Sequence, residues 1–293
     1  MHCRAGRGLA RGVQIQQVTD RFVNMYLIRD PAGLSLVDAD TPNGLWVLER
    51  ALRQRGERLA DLRHILITHA DPDHMGSAAA LCTAMGAARY TSRIEAEAMA
   101  RGAPSREPQE NWLITTSYAI MSWLMNVQPA QATAIVSLGD ALSILGGLHV
   151  LTTPGHTAGH LSFFAPAYGM LFAGDSLLAT RRGLHFADGP VTLDYATGWA
   201  SAQLQAQLQP RIVCAGHGPV LQADHFPRVR LHFGNSGPYR CSSLPPYSGG
   251  FINRADDKRG WQATPGAYGE RAYWSAKAWP ISARIPARKI LSG

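Results

Sequence analysis

Residues 67–77, which read ITHADPDHMGS, concentrate four side chains that can bind a divalent cation. These side chains are His69, Asp71, Asp73 and His74. They follow an apolar run at residues 65–67 that is typical of a buried strand. Pro72 disfavours regular backbone between them, so we expect a tight loop at the strand end. Two imidazoles and two carboxylates in one turn would repel and dehydrate one another without a cation between them, so the segment predicts a metal-binding loop.

Three later segments repeat the arrangement of an apolar run followed by a glycine-containing turn that carries a potential ligand. They read TPGHTAGH from residue 153, AGDS from residue 173 and AGHGP from residue 215, and they carry His156, Asp175 and His217. A lone His-x-Asp pair is more often an ordinary polar loop than a metal site. Four such turns in this order are poorly explained by chance, and they favour one shared metal site.

These motifs resemble the signature of the metallo-β-lactamase-fold hydrolases over about residues 14–221. That signature is His-x-His-x-Asp-His, followed by a His in Gly-His-Thr-x-Gly-His, an Asp in Gly-Asp and a His in Gly-His-Gly. The resemblance implies an α/β chain folded as a four-layer αββα sandwich. It also implies two divalent metal ions, which we expect to be zinc, with iron or manganese as alternatives. It places His69, Asp71 and His156 around one ion, Asp73, His74 and His217 around the second, and Asp175 between them.

Asp71 departs from the family pattern, which has a second His at this position. A carboxylate oxygen binds Zn²⁺ as an imidazole nitrogen does, but it adds negative charge and makes the site harder. Three interpretations stay open: a two-metal site with a preference shifted toward iron or manganese, a site filled at one position only, and a degenerate site. The first is favoured because every other ligand position is filled and aspartate is itself a ligand.

The rest of the first 221 residues alternates between strand-like and helical stretches, which favours an α/β architecture. Strands are predicted at 22–28, 34–37, 88–90, 142–145, 148–151, 161–165, 170–173 and 212–215, and helices from Pro42, at 75–85, at 92–101 and at 194–208. The resemblance implies that Asp38 supports a metal ligand by a hydrogen bond. Asp40 fits that role and helix capping equally well. His160 is expected to be a supporting residue rather than a ligand.

Three segments are set apart by composition. Residues 112–127 are uncharged and rich in large apolar side chains, and we interpret them as a lid over the active site or a homodimer surface, with core packing as the alternative. Residues 222–293 hold all three lysines and show no sustained period, which predicts an irregular, basic, poorly ordered tail. Residues 1–13 are predicted to be an N-terminal extension.

The formal net charge of +7 belongs to the tail. Residues 1–220 contain 17 of the 28 basic and 17 of the 21 acidic residues, so they are neutral. We therefore expect no nucleic-acid partner for the site, and a substrate that is not strongly anionic.

Cellular location is predicted from the cysteines and the N-terminus. The four cysteines show no paired spacing, which is typical of a reducing compartment. Residues 1–12 lack the apolar core of a secretion signal, and no run is long enough for a membrane span. We expect a cytoplasmic protein.

The predicted activity follows from two cations held close together, which lower the pKa of a shared water toward about 7. This water would attack the carbonyl carbon of a small-molecule ester, lactone or thioester with an apolar acyl part. Asp73 is expected to bind a metal and orient the nucleophile, and Asp175 to bridge the metals and pass a proton to the leaving group. The alternatives are a β-lactam hydrolase, a mononuclear iron oxygenase acting on a persulfide, and a non-catalytic scaffold with a degenerate site.

Overall fold

The structure of the chain, a computed structural model, describes residues 12–84, 86–105, 116, 120, 124–181, 183–187, 192–222, 261–262 and 275–276. The chain divides into two compact units, Met1–Asn235 and Ser236–Gly293. In the second unit, Trp261–Gln262 pairs antiparallel with Ser275–Ala276. Most of the predicted extension, lid and tail at 1–13, 112–127 and 222–293 lies outside the described residues.

Six strands form the first sheet, in the order β1-β2-β3-β4-β5-β6. The first three strands pair antiparallel and the last three continue in parallel. The strands are β1 (Gln14–Asp20), β2 (Val23–Asp30), β3 (Gly33–Val37), β4 (Leu62–Leu66), β5 (Ala88–Thr91) and β6 (Ala134–Ile135).

The second sheet also has six strands, in the order β14-β13-β10-β9-β8-β7. Its pairs are antiparallel except for β10 and β13, which run parallel. A separate hairpin, formed by β11 and β12, follows β10. The strands are β7 (Ala141–Leu142), β8 (Leu148–Thr152), β9 (Leu161–Ala165), β10 (Met170–Gly174), β11 (Leu177–Thr180), β12 (Gly183–Phe186), β13 (Ile212–Ala215) and β14 (Leu221–Gln222).

Five helices have bounds that the described residues define. They are α1 (Leu45–Gln54), α2 (Pro72–Met75), α3 (Ala78–Ala84), α4 (Arg93–Arg101) and α5 (Tyr195–Gln207). Helix α4 shows both ends clearly: Ser92 Oγ accepts a hydrogen bond from the N–H of Glu95, and Gly102 ends the helix with a φ of 64°. No helix among the described residues is long and apolar enough to cross a membrane.

Strand β2 shows how the layers form, because its alternate side chains enter different cores. Met25 and Leu27 pack in the core that contains residues of α1, α3 and α4, whereas Tyr26 and Ile28 pack in the core between the two sheets. Both faces of the strand are buried, which explains why the sequence lacks the polar alternation of a half-exposed strand.

Strand β10 repeats this pattern on the other side of the molecule. Phe172 packs between the sheets, while Leu171 and Ala173 pack with Ala202 of α5. Helices, sheet, sheet and helix therefore form four layers. The predicted αββα sandwich of α/β class is confirmed.

Two kinds of strand prediction were wrong. The strand predicted at 142–145 ends at Leu142, because Leu145 adopts a left-handed φ of 51° and donates its N–H to Asp30 Oδ2. Five strands, β1, β6, β11, β12 and β14, were not predicted. They are short or half-exposed, so they carry few of the apolar residues on which the prediction depended.

Asp40 is a buried carboxylate between β3 and α1. Burial raises the pKa of its carboxyl group from 3.8 to about 6, although the N–H of Thr41 donates to Oδ1 at 2.6 Å and opposes this shift. Oδ2 has no hydrogen-bond partner within the described residues. Asp40 also has a φ of 56°, a conformation that Asp and Asn tolerate better than most residues. Ionised Asp40 is therefore a source of instability.

Asp40→Asn is expected to increase the free energy of unfolding above pH 6. The pKa is higher in the folded than in the unfolded chain, so folding favours the protonated form and stability falls as pH rises from about 4 to about 6. Asparagine stays neutral, keeps the acceptor for Thr41 and tolerates the backbone. Urea unfolding should show equal stability of variant and wild type near pH 4 and a more stable variant near pH 7.5.

Asp61→Asn is the control for this experiment, since the N–H of Arg58 lowers the pKa of that exposed carboxyl. It should leave the variant no more stable than the wild type near pH 7.5. If Asp40→Asn does not differ from the wild type at either pH, ionised Asp40 does not destabilise the fold.

Candidate active site

The seven side chains predicted as ligands come from four segments, each following the end of a strand. The segment after β4, a turn that leads into helix α2, carries four of them, and the turns after β8, β10 and β13 carry His156, Asp175 and His217. The structure brings all seven together: six form two groups of three, and Asp71 lies beside the first group. The candidate ligand atoms of His69, His156 and Asp175 lie within 4.8 Å of one another, as do those of Asp73, His74 and His217.

Asp71 lies at the edge of the first group. Its Oδ2 atom is 3.4 Å from His69 Nε2 and 3.1 Å from His156 Nε2. The position at which the family pattern has a His is therefore filled by an oxygen that faces the same imidazole nitrogens. This geometry is consistent with Asp71 as a ligand in place of that His.

Asp175 lies between the two groups. Its Oδ2 atom is 3.1 Å from His217 Nε2 and 3.6 Å from His156 Nε2, and its Oδ1 atom is 3.3 Å from His74 Nε2. The contact with His74 lacks hydrogen-bond geometry, since neither atom has a hydrogen-bond partner in the described part of the chain. His74 Nε2 and Asp175 Oδ1 therefore face the same position without bonding to each other.

The predicted tight loop after β4 is present only up to Asp71, and the expectation that Pro72 excludes regular backbone was wrong. Pro72 is the first residue of the one-turn helix α2, whose N-cap is Asp71. Proline suits this position because it has no N–H to lose there and its φ is already helical. The helix carries Asp73 and His74 together, one residue after the turn that carries His69 and Asp71.

Asp38 orients two of the imidazoles. His74 Nδ1 lies 2.9 Å from Asp38 Oδ2 and therefore donates to it. Thr68 donates its hydroxyl hydrogen to the same carboxylate at 3.0 Å, so Thr68 Oγ1 is left to accept from His69 Nδ1 at 2.9 Å. Both rings consequently carry a hydrogen on Nδ1, which leaves Nε2 as the atom that faces the site. The hydrogen bond from His74 to Asp38 is the contact that the resemblance implied.

His217 is oriented by main chain instead of a carboxylate. Its Nδ1 donates to the carbonyl oxygen of Phe22 at 2.9 Å, so Nε2 again faces the site. Phe22 lies in the turn between β1 and β2, and its ring stacks on His217 with centroids 5.7 Å apart. The first hairpin of the chain therefore holds the last of the seven side chains.

The residues present fit a divalent cation. The Nε2 atoms of His69 and His74 are buried and have no hydrogen-bond partner among the described residues, a costly state for a polar atom. Neutral imidazole nitrogens facing carboxylates are the donor set that Zn²⁺ and similar ions prefer. A divalent cation held by these atoms would satisfy them.

His160 supports the site without facing it as a ligand. Its Nε2 accepts the backbone N–H of Asp175 at 3.0 Å, and its Nδ1 therefore donates to Thr153 Oγ1 at 2.8 Å. Burial, followed by the nearby imidazoles, lowers the pKa of His160 well below its ordinary value. A neutral His160 thus fixes the main chain at Asp175, in agreement with the supporting role expected for it.

Gly155 and Gly198 position the His156 turn and were not recognised in the sequence. Gly155 has a φ of 135°, and a Cβ atom on it would overlap with the Cα atom of Gly198 in α5. The backbone N–H of Asp194 donates to the carbonyl of Gly155 at 2.9 Å. Helix α5 therefore holds the turn through direct backbone contact. Glycines at these positions are visible in the sequence, but their proximity is not.

Protons take part in the electrostatic balance of the site. Although burial opposes it, the carboxylates of Asp175, Asp38 and Asp73 hold the pKa of His74 well above its ordinary value. Asp175 likewise raises the pKa of His217 against the effect of burial. Burial would raise the pKa of Asp175, but His74 and His217 hold it well below its ordinary value. Without a cation, protons on these imidazoles balance the carboxylates.

The chain belongs to the metallo-beta-lactamase superfamily, since residues 18–217 match the profile of that family. The fold of this superfamily implies that the site binds divalent metal.

Individual relatives agree with this assignment. The chain is 25% identical to the probable metallo-hydrolase YflN of Bacillus subtilis, over 76% of this chain and 90% of that one. It is 28% identical to the hydroxyacylglutathione hydrolase of Rhodobacter capsulatus, over 68% of this chain but only 63% of the relative. A metallo-beta-lactamase family protein of Thermus thermophilus has a similar structure, with a TM-score of 0.56, 27% identity and coverage of 73% and 75% of the two chains.

Metal binding is expected to release about one proton or more near pH 7. The raised pKa values of His74 and His217 mean that protons occupy the metal-free site, and a cation must displace them. The apparent metal affinity should therefore rise with pH and fall as acid is added. Calorimetric titration of Zn²⁺ in two buffers of different ionisation enthalpy measures the number of protons. Identical heats in both buffers would contradict the proposed charge balance.

Proposed function

We propose that the protein is a metal-dependent hydrolase that cleaves an ester, lactone or thioester with an apolar acyl part. The observation that carries the proposal is the convergence of seven donor side chains, with the Nε2 atoms of His69 and His74 buried and without hydrogen-bond partners among the described residues. Such an arrangement is unfavourable in a purely structural role. Relatives named as a metallo-hydrolase and as hydroxyacylglutathione hydrolases support hydrolysis, the latter at an acyl group.

The proposed site holds two divalent ions, with zinc as the first choice and iron or manganese as alternatives. His69, Asp71 and His156 would hold one ion, Asp73, His74 and His217 the other, and Asp175 would lie between them. Bound ions supply a Lewis acid for the carbonyl oxygen and lower the pKa of a water toward about 7. The separation of the donors into two groups that share Asp175 supports two ions rather than one.

Asp73 and Asp175 are the proposed catalytic carboxylates, and their exposure suits different tasks. Asp73 is the more open, with 20% of its side chain exposed, and its Oδ2 lies 3.6 Å from His217 Nε2. This position lets it accept a hydrogen bond from an attacking water and orient it. Asp175 is buried and contacts imidazoles of both groups, a position from which it would bridge the two ions and could pass a proton to the leaving group.

The apolar part of the substrate is proposed from the surface beside the site. Phe22 stacks on His217 yet is 57% exposed, so it offers an apolar contact next to the metal-binding atoms. The body of the chain carries equal numbers of acidic and basic residues, which does not favour a strongly anionic substrate. An uncharged acyl compound fits both features.

The alternative functions differ in metal content. The oxygenase would contain one iron and consume oxygen. The scaffold would contain no metal and catalyse no reaction. A β-lactam hydrolase shares the proposed metal content and must be separated by substrate. Metal analysis combined with a panel of lactone, thioester, β-lactam and phosphodiester substrates distinguishes all four. The proposal requires about two equivalents of metal and chelator-sensitive hydrolysis of a lactone or thioester.

Asp73→Ala is expected to lower kcat by about 100-fold or more, because the water loses the group that orients it. Steady-state kinetics on the best substrate of the panel, with metal content measured in parallel, tests this. Asp61→Ala removes an exposed carboxylate outside the site and should leave kcat unchanged. Retention of activity by Asp73→Ala at full metal content would remove Asp73 from the mechanism.

Phe22→Ala is expected to raise KM for substrates with long acyl chains by roughly 10-fold, with little change in kcat or in KM for acetyl substrates. Trp46→Ala is a matched control, because Trp46 is an exposed aromatic residue with the same 57% exposure but lies on α1. KM should be measured for a series of esters of increasing acyl length. Equal effects of the two variants at every length would show that Phe22 makes no substrate contact.

A further inference from the structure

Glu95, in the first turn of α4, is fully buried and faces no basic side chain in any described ion pair. Its carboxylate instead accepts three hydrogen bonds. The backbone N–H of Ala70 donates to Oε2 at 2.8 Å, while Thr157 Oγ1 and the backbone N–H of Gly159 donate to Oε1 at 2.7 and 3.1 Å. Nothing in the proposed mechanism uses this carboxylate.

The three donors belong to two turns that come from different sheets. Ala70 lies between His69 and Asp71 in the turn after β4 of the first sheet. Thr157 and Gly159 follow His156 in the turn after β8 of the second sheet. The two oxygens of one carboxylate therefore join the halves of a single group of candidate ligands, those of the first ion.

We propose that Glu95 is a positioning residue that fixes the distance between His69 and Asp71 on one side and His156 on the other. The inference rests on the proposed function, since that function makes these three residues ligands of one ion. The second group depends on other contacts: Asp38 orients His74, and the carbonyl of Phe22 orients His217. Loss of Glu95 should consequently affect the first ion more than the second.

The packing around Glu95 leaves little freedom for the two turns. A Cβ atom on Gly159 would lie 2.7 Å from Glu95 Oε1 and 2.6 Å from Ser92 Oγ, so the second turn lies directly on the start of α4. The positive end of the helix and three donors together stabilise a buried negative charge. A neutral side chain of the same size cannot satisfy both backbone N–H groups in this way.

Glu95→Gln tests the proposal because it preserves size but replaces one acceptor oxygen with an NH₂ group. Whichever way the amide is turned, one of the N–H groups of Ala70 and Gly159 loses its acceptor. In the metal-free protein, amide hydrogen exchange in one or both turns should become faster. In Zn²⁺ titrations against a chromophoric chelator, one of two equivalents should bind roughly 10- to 100-fold more weakly, and the other should change by less than about 2-fold.

Two further variants separate positioning from general destabilisation. Thr157→Val removes one donor while keeping the shape of the side chain, and it should shift the same equivalent of metal in the same direction by a smaller factor. Ser92→Ala removes the hydrogen bond to the N–H of Glu95 but leaves the three contacts of the carboxylate. It should therefore lower the stability of the fold without weakening the binding of one Zn²⁺ equivalent more than that of the other.

The outcomes also separate this inference from the proposed function. If Glu95→Gln leaves amide hydrogen exchange unchanged in both turns, Glu95 does not position them. The proposal also fails if Glu95→Gln weakens the binding of both Zn²⁺ equivalents equally, or if its effects match those of Ser92→Ala. If the wild type binds no metal, the proposed function fails, and the exchange measurement on the metal-free protein still decides whether Glu95 holds the two turns.

Discussion

The site depends on the hydrogen bonds that a single buried carboxylate, Asp38, makes at the end of β3. It accepts from His74 directly and from Thr68, which in turn accepts from His69. If either imidazole turned over, its Nδ1 would lose this partner in a buried environment. Asp38 thus sets the direction of the Nε2 atoms of both His69 and His74. Asp38 itself adopts a φ of 60°, a conformation that the surrounding structure must stabilise.

The separation between ligands from different sheets depends on bonds that cross between the sheets near the site. The hydroxyl of Tyr26 and the amide of Asn24, both on β2, donate to the carbonyl of Ala215 at 2.6 and 3.0 Å. The backbone N–H of Asn24 donates to Gly216 at 2.8 Å. These contacts fix the end of β13 against the first sheet, directly before His217. Glu95 makes the corresponding connection for the His156 turn.

The α/β class and the seven candidate ligands were predicted because both leave local signals, whereas the four layers were implied by the family resemblance. A ligand in a glycine-containing turn after an apolar run is visible within about ten residues. Glu95 leaves no such signal, since it follows Ile94 and precedes Glu97 in a stretch that reads as an ordinary capped helix. Its importance arises from Ala70 and Gly159, which only the fold brings near it. The same is true of Gly155 against Gly198, and the helix α2 was missed because Pro72 has opposite meanings inside a helix and at its start.

Asp71 changes the charge of the proposed site in a direction that bears on its substrate. Asp71, Asp73 and Asp175 contribute three negative charges, and two divalent ions contribute four positive ones, which leaves a net charge of about +1. An imidazole at position 71 would leave about +2. The smaller charge reduces the attraction for an anionic phosphodiester while retaining enough field to polarise a carbonyl group. The carboxylate that departs from the family pattern and the exposed ring of Phe22 thus favour the same class of substrate, an uncharged acyl compound with an apolar chain.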